Sequence, residues 1–549
     1  MPFIFVAILA LLAGCETMPS SPLLPAEGPP PVATEQTRKI TYEEAKRFDD
    51  FLNNTLSVDE VNLLVQSCRE KPDHSVFCFT VLNKEILEKI AQNERPKNSN
   101  HSNGKAVYPK LRGKSVANWE TLRNATPKTL LPGLSSFSLH DLKLLQTKAL
   151  TETRCPNNVT VAVAATLEKW LPKEISTSEI AALYEKAGSC VWPHGKEDTA
   201  NFLLRAGLFY TLKGNYHRAK KVLLKAAEAY PEFQAKTLYW LYRVSTALSN
   251  HTEAQSYLER LQSEYPLSFH TIVALTFLNQ DPAEKIFNFS YEHKKRSERI
   301  DRVNTLIEQV EALHEFGFKK NAIRILDWAI AESQETEPEF KLYLAHLKKQ
   351  QGDFLRKFAL LSELFYRNPT LIGKNTIELF FPKAFFPVFQ KNSVGLDPYL
   401  LLAVARQESA FNTNAVSRAD ARGILQLLPA VGRKLSMHSK TNLFDPEVNV
   451  ELGAQYLADL LKEFNAQIHL ALAAYNAGPG NVLNWMTRYE TTDPILFIDL
   501  IPYRETRHYV ATVLRNYYWY RRIETTNGDP VGIFSLSTAL PAKDAVKEN

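Results

Sequence analysis

Long apolar runs, cysteines and dense basic clusters are all scarce in this 549-residue chain. The apolar run at residues 3–13 is too short to span a bilayer as a mature helix, which needs about 20 residues. No basic block is dense enough to indicate a nucleic-acid partner, although the net charge of +5 suits an anionic one. The five cysteines show no CxxC spacing, so we expect no metal site and no cofactor.

The rest of the composition indicates a folded protein with several domains. Apolar residues make up 45% of the chain and aromatic residues 11%, which is typical of a globular protein. The chain is too long for one ordinary hydrophobic core, so its length predicts about two to four domains.

The N-terminus has the pattern of an export signal. Residues 3–13 fit the apolar region of a signal peptide, and Leu12-Ala13-Gly14-Cys15 resembles the bacterial lipobox, although no Lys or Arg precedes the run. Proteins with that motif are cut before the cysteine, whose thiol is lipidated. We therefore expect a signal peptide at residues 1–14 and a lipid anchor on Cys15. The residue after Cys15 is Glu16 and not Asp. By resemblance to the bacterial sorting rule, this favours anchoring in the inner leaflet of the outer membrane, on the periplasmic side.

The segment after the anchor and the remaining cysteines are also typical of an exported protein. Residues 15–38 contain six prolines and predict an extended tether. The other four cysteines are compatible with two disulfides in an oxidising compartment. Pairing Cys68 with Cys78 and Cys155 with Cys190 would close the shorter loops. The alternative is four buried free thiols.

A helical repeat begins near residue 200, after a predicted N-terminal helical region at 39–198. Small residues and prolines recur with a period of about 34 residues, as in tetratricopeptide repeats. Their positions are Gly214, Ala219, Pro231, Ser249, Ala254, Pro266, Gly317, Ala322, Gly352 and Pro369. Small residues let paired helices approach closely, and proline ends the second helix. We expect a solenoid at residues 199–374 and favour a scaffold role over a partner-binding groove, with no protein partner identified.

One predicted helix carries a carboxylate in an unusual position. Asp397 and Pro398 form a helix start, with a capping side chain followed by proline. Leu401, Val404 and Glu408 then share the apolar face of that helix. Burial and the negative end of the helix dipole both favour a protonated Glu408, and a general acid must be protonated. The alternative is a structural glutamate neutralised by a nearby arginine.

Four segments of the last domain carry a family resemblance. Together they closely resemble the lysozyme-like catalytic domain of the soluble lytic murein transglycosylases, over about residues 385–522. The segments are Gln407-Glu408-Ser409-Ala410-Phe411, Gly423-Ile424-Leu425-Gln426-Leu427-Leu428-Pro429, Ala474-Tyr475-Asn476-Ala477-Gly478-Pro479-Gly480 and Ile501-Pro502-Tyr503-Arg504-Glu505-Thr506-Arg507-His508-Tyr509-Val510.

The resemblance implies an all-α fold, with a helical solenoid followed by a lysozyme-like catalytic domain. Large members of this family carry a helical superhelix before the catalytic domain, which agrees with the repeats. We place the catalytic domain at residues 375–525 and a C-terminal tail at 526–549.

The resemblance also implies a reaction on peptidoglycan glycan strands. The family cleaves the MurNAc–GlcNAc β-1,4 bond without water and leaves a 1,6-anhydro-MurNAc end. Glu408 would act first as acid and then as base, and the C6 hydroxyl of the same sugar would be the nucleophile. The alternatives are a muramidase that uses water at the same site and an inactive peptidoglycan-binding scaffold.

The remaining site residues follow from the same resemblance. Ser409 and Gln426 would contact the sugar and its N-acetyl group, and Tyr475 would position Glu408. Glu505 would bind substrate or orient the site, unless it forms a structural ion pair with Arg504 or Arg507. The other expected substrate-binding residues are Gly423, Leu428, which stands where the family commonly has Met, and Asn476, for which stabilising its turn is the favoured role.

Overall fold

The computed structural model describes residues 42–52, 127–154, 158–190, 196–229, 234–288, 310–332, 338–436 and 441–525, together with Trp119 and Leu122. Within these ranges the secondary structure is helical, with two isolated β-bridges and no β-strand. The all-α class is therefore confirmed. Of the helices in the described ranges, none combines the length and the apolar character needed to cross a membrane.

The described α-helices are mostly of two to five turns and are joined by short connections. Their bounds are α1 (Tyr42–Leu52), α2 (Pro127–Leu134), α3 (Leu139–Thr151), α4 (Asn158–Leu167), α5 (Thr177–Gly188), α6 (Lys196–Leu212), α7 (Tyr216–Ala229), α8 (Gln234–Ala247), α9 (His251–Glu264), α10 (Phe269–Phe277), α11 (Glu284–Phe287), α12 (Lys319–Glu332), α13 (Pro338–Gln350), α14 (Phe354–Arg367), α15 (Lys374–Phe380), α16 (Phe386–Lys391), α17 (Pro398–Ser409), α18 (Pro429–Leu435), α19 (Pro446–Glu463), α20 (Ile468–Ala477), α21 (Pro479–Tyr489), α22 (Pro494–Leu500) and α23 (Arg504–Glu524).

The chain forms two compact units, each made of stretches that are distant in sequence. One unit combines Met1–Gly104 with Ser290–Phe380, and the other combines Lys105–Phe289 with Phe381–Asn549. The predicted domain boundaries stay a prediction. The signal peptide, Cys15, the tether and the tail after residue 525 lie outside the described residues.

The predicted repeats correspond to pairs of helices joined by tight turns. Gly214, Gly317 and Gly352 lie in these turns with φ of 78°, 88° and 73°, and Ser249 takes φ 60° at the equivalent place. Glycine adopts this left-handed conformation without the steric cost that a Cβ imposes. The recurring alanines are buried between paired helices, so the helical-hairpin arrangement that the repeat predicts is confirmed.

In the first unit, α1 packs beside α12 and the helical residues that precede it. The ring of Tyr42 lies 5.5 Å from that of Phe316 and 5.8 Å from that of Phe318. The Asn321 side chain donates to the Asp49 carboxylate at 2.7 Å.

In the second unit, packing between helices brings separate parts of the sequence together. Helix α23 packs along α17 and α20, and α22 packs against α23 and α6. Each of the four segments singled out in the sequence adjoins one of these helices, so the packing gathers them at one place.

Of the four cysteines predicted to form disulfides, Cys190 lies within the described residues. Cys190 is buried and disulfide-bonded, which excludes a free thiol at this position. Cys68, Cys78 and Cys155 lie outside the described residues, so the pairing stays a prediction.

Candidate active site

Helix α17 presents Glu408 near its C-terminal end. The Asp397 side chain caps the helix and Pro398 occupies its first turn, as the sequence predicts. Leu401 and Val404 are each 1% exposed and fix the buried face of the helix. Glu408 continues that face but is half-buried as a residue, unlike Leu401 and Val404.

The carboxyl group of Glu408 is held in its protonated form at neutral pH. Burial raises its pKa to about 8, the hydroxyl of Tyr509 opposes the shift by stabilising the charged form, and the negative charge of Glu505 adds to it. Tyr475 lies in the same group, because the charge of Glu408 contributes to raising the pKa of that tyrosine. Three of the four segments therefore meet at one carboxyl group.

No arginine neutralises Glu408 among the described residues. Arg406 is buried against aromatic rings on the other side of its helix, and Arg422 pairs with Asp420 at 2.9 Å on the surface. Arg418 is exposed. The structural alternative for Glu408 therefore has no support in the observed contacts.

The second segment forms a tight turn beside the end of α17. Gly423 and Gln426 have positive φ angles of 78° and 49°. The Ser409 hydroxyl donates to the Ile424 carbonyl at 2.8 Å, which ties the helix end to the turn. The side-chain amide of Gln426 donates to the carbonyls of Ala415 at 3.1 Å and Gly423 at 2.9 Å. Ser409 and Gln426, for which sugar contact stays a prediction, thus hold the turn.

Asn449 supports this turn and was given no role in the sequence interpretation. It is 0% exposed, and its Oδ1 accepts from the Leu425 amide at 2.8 Å. Its Nδ2 donates to the carbonyls of Arg422 at 2.9 Å and Leu443 at 2.8 Å. A buried side-chain amide needs such partners. The signal in the sequence was an asparagine on the buried face of α19.

The third segment contacts both the turn and α23. The Tyr475 hydroxyl donates to the Leu425 carbonyl at 2.8 Å, so the tyrosine bonds the turn beside Glu408. Asn476 accepts a hydrogen bond from the Thr506 hydroxyl at 2.6 Å. This bond joins the end of α20 to the first turn of α23, and it agrees with a stabilising role for Asn476.

Glu505 lies in the first turn of α23 and is exposed. It forms no ion pair with any described residue, because Arg504 pairs with Glu197 and Arg507 donates to a backbone carbonyl at 2.6 Å. The ion-pair alternative for Glu505 is therefore wrong within the described part of the chain. Its charge acts on Glu408 instead.

After Asn449, Tyr509 is the second residue of the site to which the sequence interpretation gave no role. It is 4% exposed, and its hydroxyl forms no well-directed hydrogen bond with any described residue. The hydroxyl nevertheless lies close enough to Glu408 to stabilise its carboxylate. The spacing of Glu505 and Tyr509, one helical turn apart, was the available signal.

Leu428 stands apart from these contacts and is 42% exposed at the end of the turn. In the described ranges, no cluster of His, Cys, Asp or Glu could hold a metal ion. The site therefore consists of the Glu408 carboxyl group, which has no cationic partner among the described residues, with Tyr475, Tyr509 and the acidic Glu505 near it.

Comparison with known proteins identifies the domain that contains this site. Residues 388–498 match the family described as the Transglycosylase SLT domain. The part of the chain that contains the site is therefore similar to this domain. The match includes Glu408 and the turn, and it ends before Glu505 and Tyr509.

Two relatives show how far the SLT similarity extends. The chain is 34% identical over 164 residues to the soluble lytic murein transglycosylase of Escherichia coli K12, covering 28% of this chain and 25% of that protein. It is 38% identical over 116 residues to the membrane-bound lytic murein transglycosylase F of Histophilus somni strain 2336, covering 20% and 23%. The matched region thus spans about a quarter of the length of each relative.

Two solved structures resemble the chain at low identity. The 70-kDa soluble lytic transglycosylase of Escherichia coli has a TM-score of 0.47 and 16% identity, covering 88% of this chain and 86% of that one. An inactive mutant of the lytic transglycosylase Slt of Pseudomonas aeruginosa has a TM-score of 0.49 and 19% identity, covering 88% and 89%.

The pH dependence of the SLT domain should follow the titration of Glu408. If Glu408 acts as a general acid, it must be protonated, and its pKa is about 8, so kcat/KM should fall as pH rises through about 8. Glu505→Gln removes a neighbouring negative charge and should move this fall to lower pH. The matched control is Asp420→Asn, which changes a surface carboxylate and should leave the profile in place. A profile that is flat between pH 6 and pH 9 would exclude Glu408 as the acid.

Proposed function

We propose that this chain is a lytic transglycosylase that cleaves the MurNAc–GlcNAc β-1,4 bond of peptidoglycan without water. The observation that carries the proposal is the carboxyl group of Glu408, which burial keeps protonated with a pKa of about 8, within residues that match the SLT domain. Relatives with this domain are named lytic murein transglycosylases, which supports the same substrate here.

The proposed reaction uses one carboxyl group twice. Glu408 first donates its proton to the glycosidic oxygen as the bond from C1 to that oxygen breaks. The Glu408 carboxylate then takes the proton from the C6 hydroxyl of the MurNAc residue, and O6 forms a bond to C1. The product is a 1,6-anhydro-MurNAc end, and Glu408 regains its proton. Tyr509 stabilises the carboxylate between the two steps.

Glu505 has a supporting role in this proposal. Most glycosidases use two carboxyl groups, one as acid and the other as base or nucleophile. Glu505 is exposed and lies in the first turn of α23, where its charge helps to keep Glu408 protonated. A hydrogen bond from substrate to Glu505 is compatible with this exposure.

The turn and the third segment provide the proposed substrate contacts. The amide nitrogen of Gln426 is bonded to two carbonyls, which leaves its amide oxygen to accept from the N-acetyl group. The exposed Leu428 offers an apolar surface to a sugar ring. Ser409, Gly423, Tyr475 and Asn476 shape this side of the site through their bonds within the protein.

The proposed location is the periplasm, with a lipid anchor on Cys15 in the inner leaflet of the outer membrane. The lipobox-like Leu12-Ala13-Gly14-Cys15 and the proline-rich segment after it support this location. Mass spectrometry of the mature N-terminus tests it, and an unmodified Cys15 would overturn the lipid anchor.

Product analysis tests the proposed reaction directly. The full-length protein is incubated with purified peptidoglycan, and the soluble muropeptides are analysed by mass spectrometry. We expect MurNAc ends that lack one water, because O6 replaces the leaving oxygen at C1. Incubation in ¹⁸O-labelled water should leave these ends unlabelled. Reducing MurNAc ends carrying ¹⁸O would instead identify a muramidase.

A further inference from the structure

Helix α22 and the start of α23 are anchored to the helical repeats by buried charges. Asp499 in α22 is 1% exposed, and it accepts hydrogen bonds from Trp240 Nε1 and His270 Nε2, each at 2.8 Å. Its other oxygen lies 2.7 Å from Lys236 Nζ. Trp240 and Lys236 belong to α8 and His270 to α10, so one carboxylate joins three side chains from the repeats.

The other end of α22 is held in the same way. Asp493 caps the helix with one carboxylate oxygen, and the second oxygen lies 2.9 Å from Arg243 Nη1 of α8. All seven residues of α22 are buried. The helix therefore has fixed contacts with α8 at both of its ends.

The backbone between α22 and α23 is also fixed. Arg205 of α6 donates to the Leu500 carbonyl at 3.1 Å, and Arg507 donates to the Ile501 carbonyl at 2.6 Å. Arg504, the first residue of α23, pairs with Glu197 of α6. Each of these bonds restricts where α23 begins, and Glu505 and Tyr509 lie in its first two turns.

Glu505 and Tyr509 are the two residues of α23 that act on Glu408. Their distance from Glu408 depends on where α23 begins, and the bonds to α6 and α8 restrict that position in addition to the packing of α23 on α17 and α20. Polar contacts with defined directions fix one arrangement of two surfaces more strictly than apolar packing does. The anchored segment therefore connects the repeats to the electrostatics of the catalytic carboxyl group.

We propose that the helical repeats position the catalytic site through Asp499, and that Asp499, Lys236 and Trp240 are positioning residues for Glu505 and Tyr509. This inference rests on the proposed function. It assigns to the repeats a role in catalysis in addition to their role as scaffold.

Asp499 and Glu408 are surrounded by different charged and titratable groups. Lys236 and His270 from the repeats and Arg507 from α23 face Asp499, and burial lowers the pKa of His270. Glu505, Tyr509 and Tyr475 face Glu408. A substitution at Asp499 should therefore change the pKa of Glu408 by changing the positions of Glu505 and Tyr509.

The first experiment replaces Asp499 with asparagine in the full-length protein and measures muropeptide release against pH. We expect kcat to fall about tenfold to a hundredfold, as a displacement of about 1 Å does in other enzymes. KM should change by less than about twofold, because the proposed substrate contacts of Gln426 and Leu428 lie outside α22 and α23. The fall of activity near pH 8 should also move to a different pH.

A double-mutant cycle distinguishes positioning from loss of stability. In the wild-type background, Glu505→Gln should lower the pH at which activity falls, because it removes a negative charge that raises the pKa of Glu408. In the Asp499→Asn background, the same substitution should produce a smaller shift, because Glu505 no longer has a fixed position. Equal shifts in both backgrounds would overturn the proposal.

Two further variants keep the test decisive. Trp240→Phe removes one hydrogen-bond donor to Asp499 and retains an aromatic ring. It should shift the pH profile in the same way as Asp499→Asn but by less. If Asp499→Asn does not fold, the presence or absence of this smaller shift tests the proposal. Asp281→Asn is the matched control, because Asp281 pairs with Arg522 at the far end of α23. It should leave the pH profile unchanged, and a shift as large as that of Asp499→Asn would contradict the proposal.

The proposed function and this inference fail in different ways. If the wild-type protein releases no anhydro-muropeptides, the proposed function fails. If the wild type is active and neither Asp499→Asn nor Trp240→Phe changes kcat or the pH profile, only the positioning role fails.

Discussion

Replacing Glu408 with glutamine should reduce muropeptide release by about 10²-fold to 10⁴-fold, the usual contribution of a general acid–base group. Glutamine has nearly the same shape but cannot transfer a proton to the glycosidic oxygen. The effect should appear in kcat, with substrate binding retained, because the contacts of the turn are unchanged. Muropeptide mass spectrometry on wild type and variant at equal concentration measures it.

The stability of this variant provides an internal control. A folded-state pKa of about 8 means that the folded protein keeps a proton which the unfolded chain releases near pH 4.5. Glu408 therefore reduces stability progressively as pH rises between those values, and glutamine does not ionise. The variant should melt at a temperature equal to or above that of wild type at pH 8. Unchanged muropeptide release would exclude Glu408 as the acid.

Replacing Gly423 with alanine should destabilise the domain by about 2–5 kcal/mol, combining the cost of a left-handed residue with that of overpacking. Gly423 has φ 78°, and an added Cβ would lie 2.1 Å from the Leu443 carbonyl oxygen and 2.4 Å from Asn449 Nδ2. The backbone and a fully bonded amide would both have to move. Denaturant unfolding measures this loss, and activity should fall with it because the turn lies beside Glu408.

Gly478→Ala is the matched control for this substitution. Gly478 has φ 85°, but an added Cβ would meet no atom within 4 Å. It should cost about 1–3 kcal/mol from backbone strain alone, because φ 85° with ψ 145° lies near a region that is essentially restricted to glycine. If the two variants lose equal stability, the close approach at Gly423 contributes nothing.

Local signals in the sequence predicted much of the fold. The helix start at Asp397 and Pro398 is present, and α20 ends before Gly478 as its glycine and proline predict. The turn glycines of the repeats were located from spacing alone. These features depend on the φ angle or capping capacity of one or two residues, so the sequence contains the information needed to predict them.

The same local information identified Glu408 but did not show which side chains surround its carboxyl group. Helical phase placed the glutamate on an apolar face, and burial supplies the largest contribution to its raised pKa. Helical phase alone could not show whether an arginine neutralises the carboxyl group. That answer depends on side-chain directions in a loop, where Arg422 turns to Asp420.

The sequence by itself determined the helical class, the repeat phase and the identity of the proposed catalytic acid, because each follows from residue types close together in the chain. Only the tertiary structure decided that Tyr509 and Glu505 act on Glu408, that Asn449 holds the turn, and that the repeats anchor α22 through Asp499. These contacts join residues that are distant in the chain, and their distances follow from how whole helices pack. No local pattern contains that information.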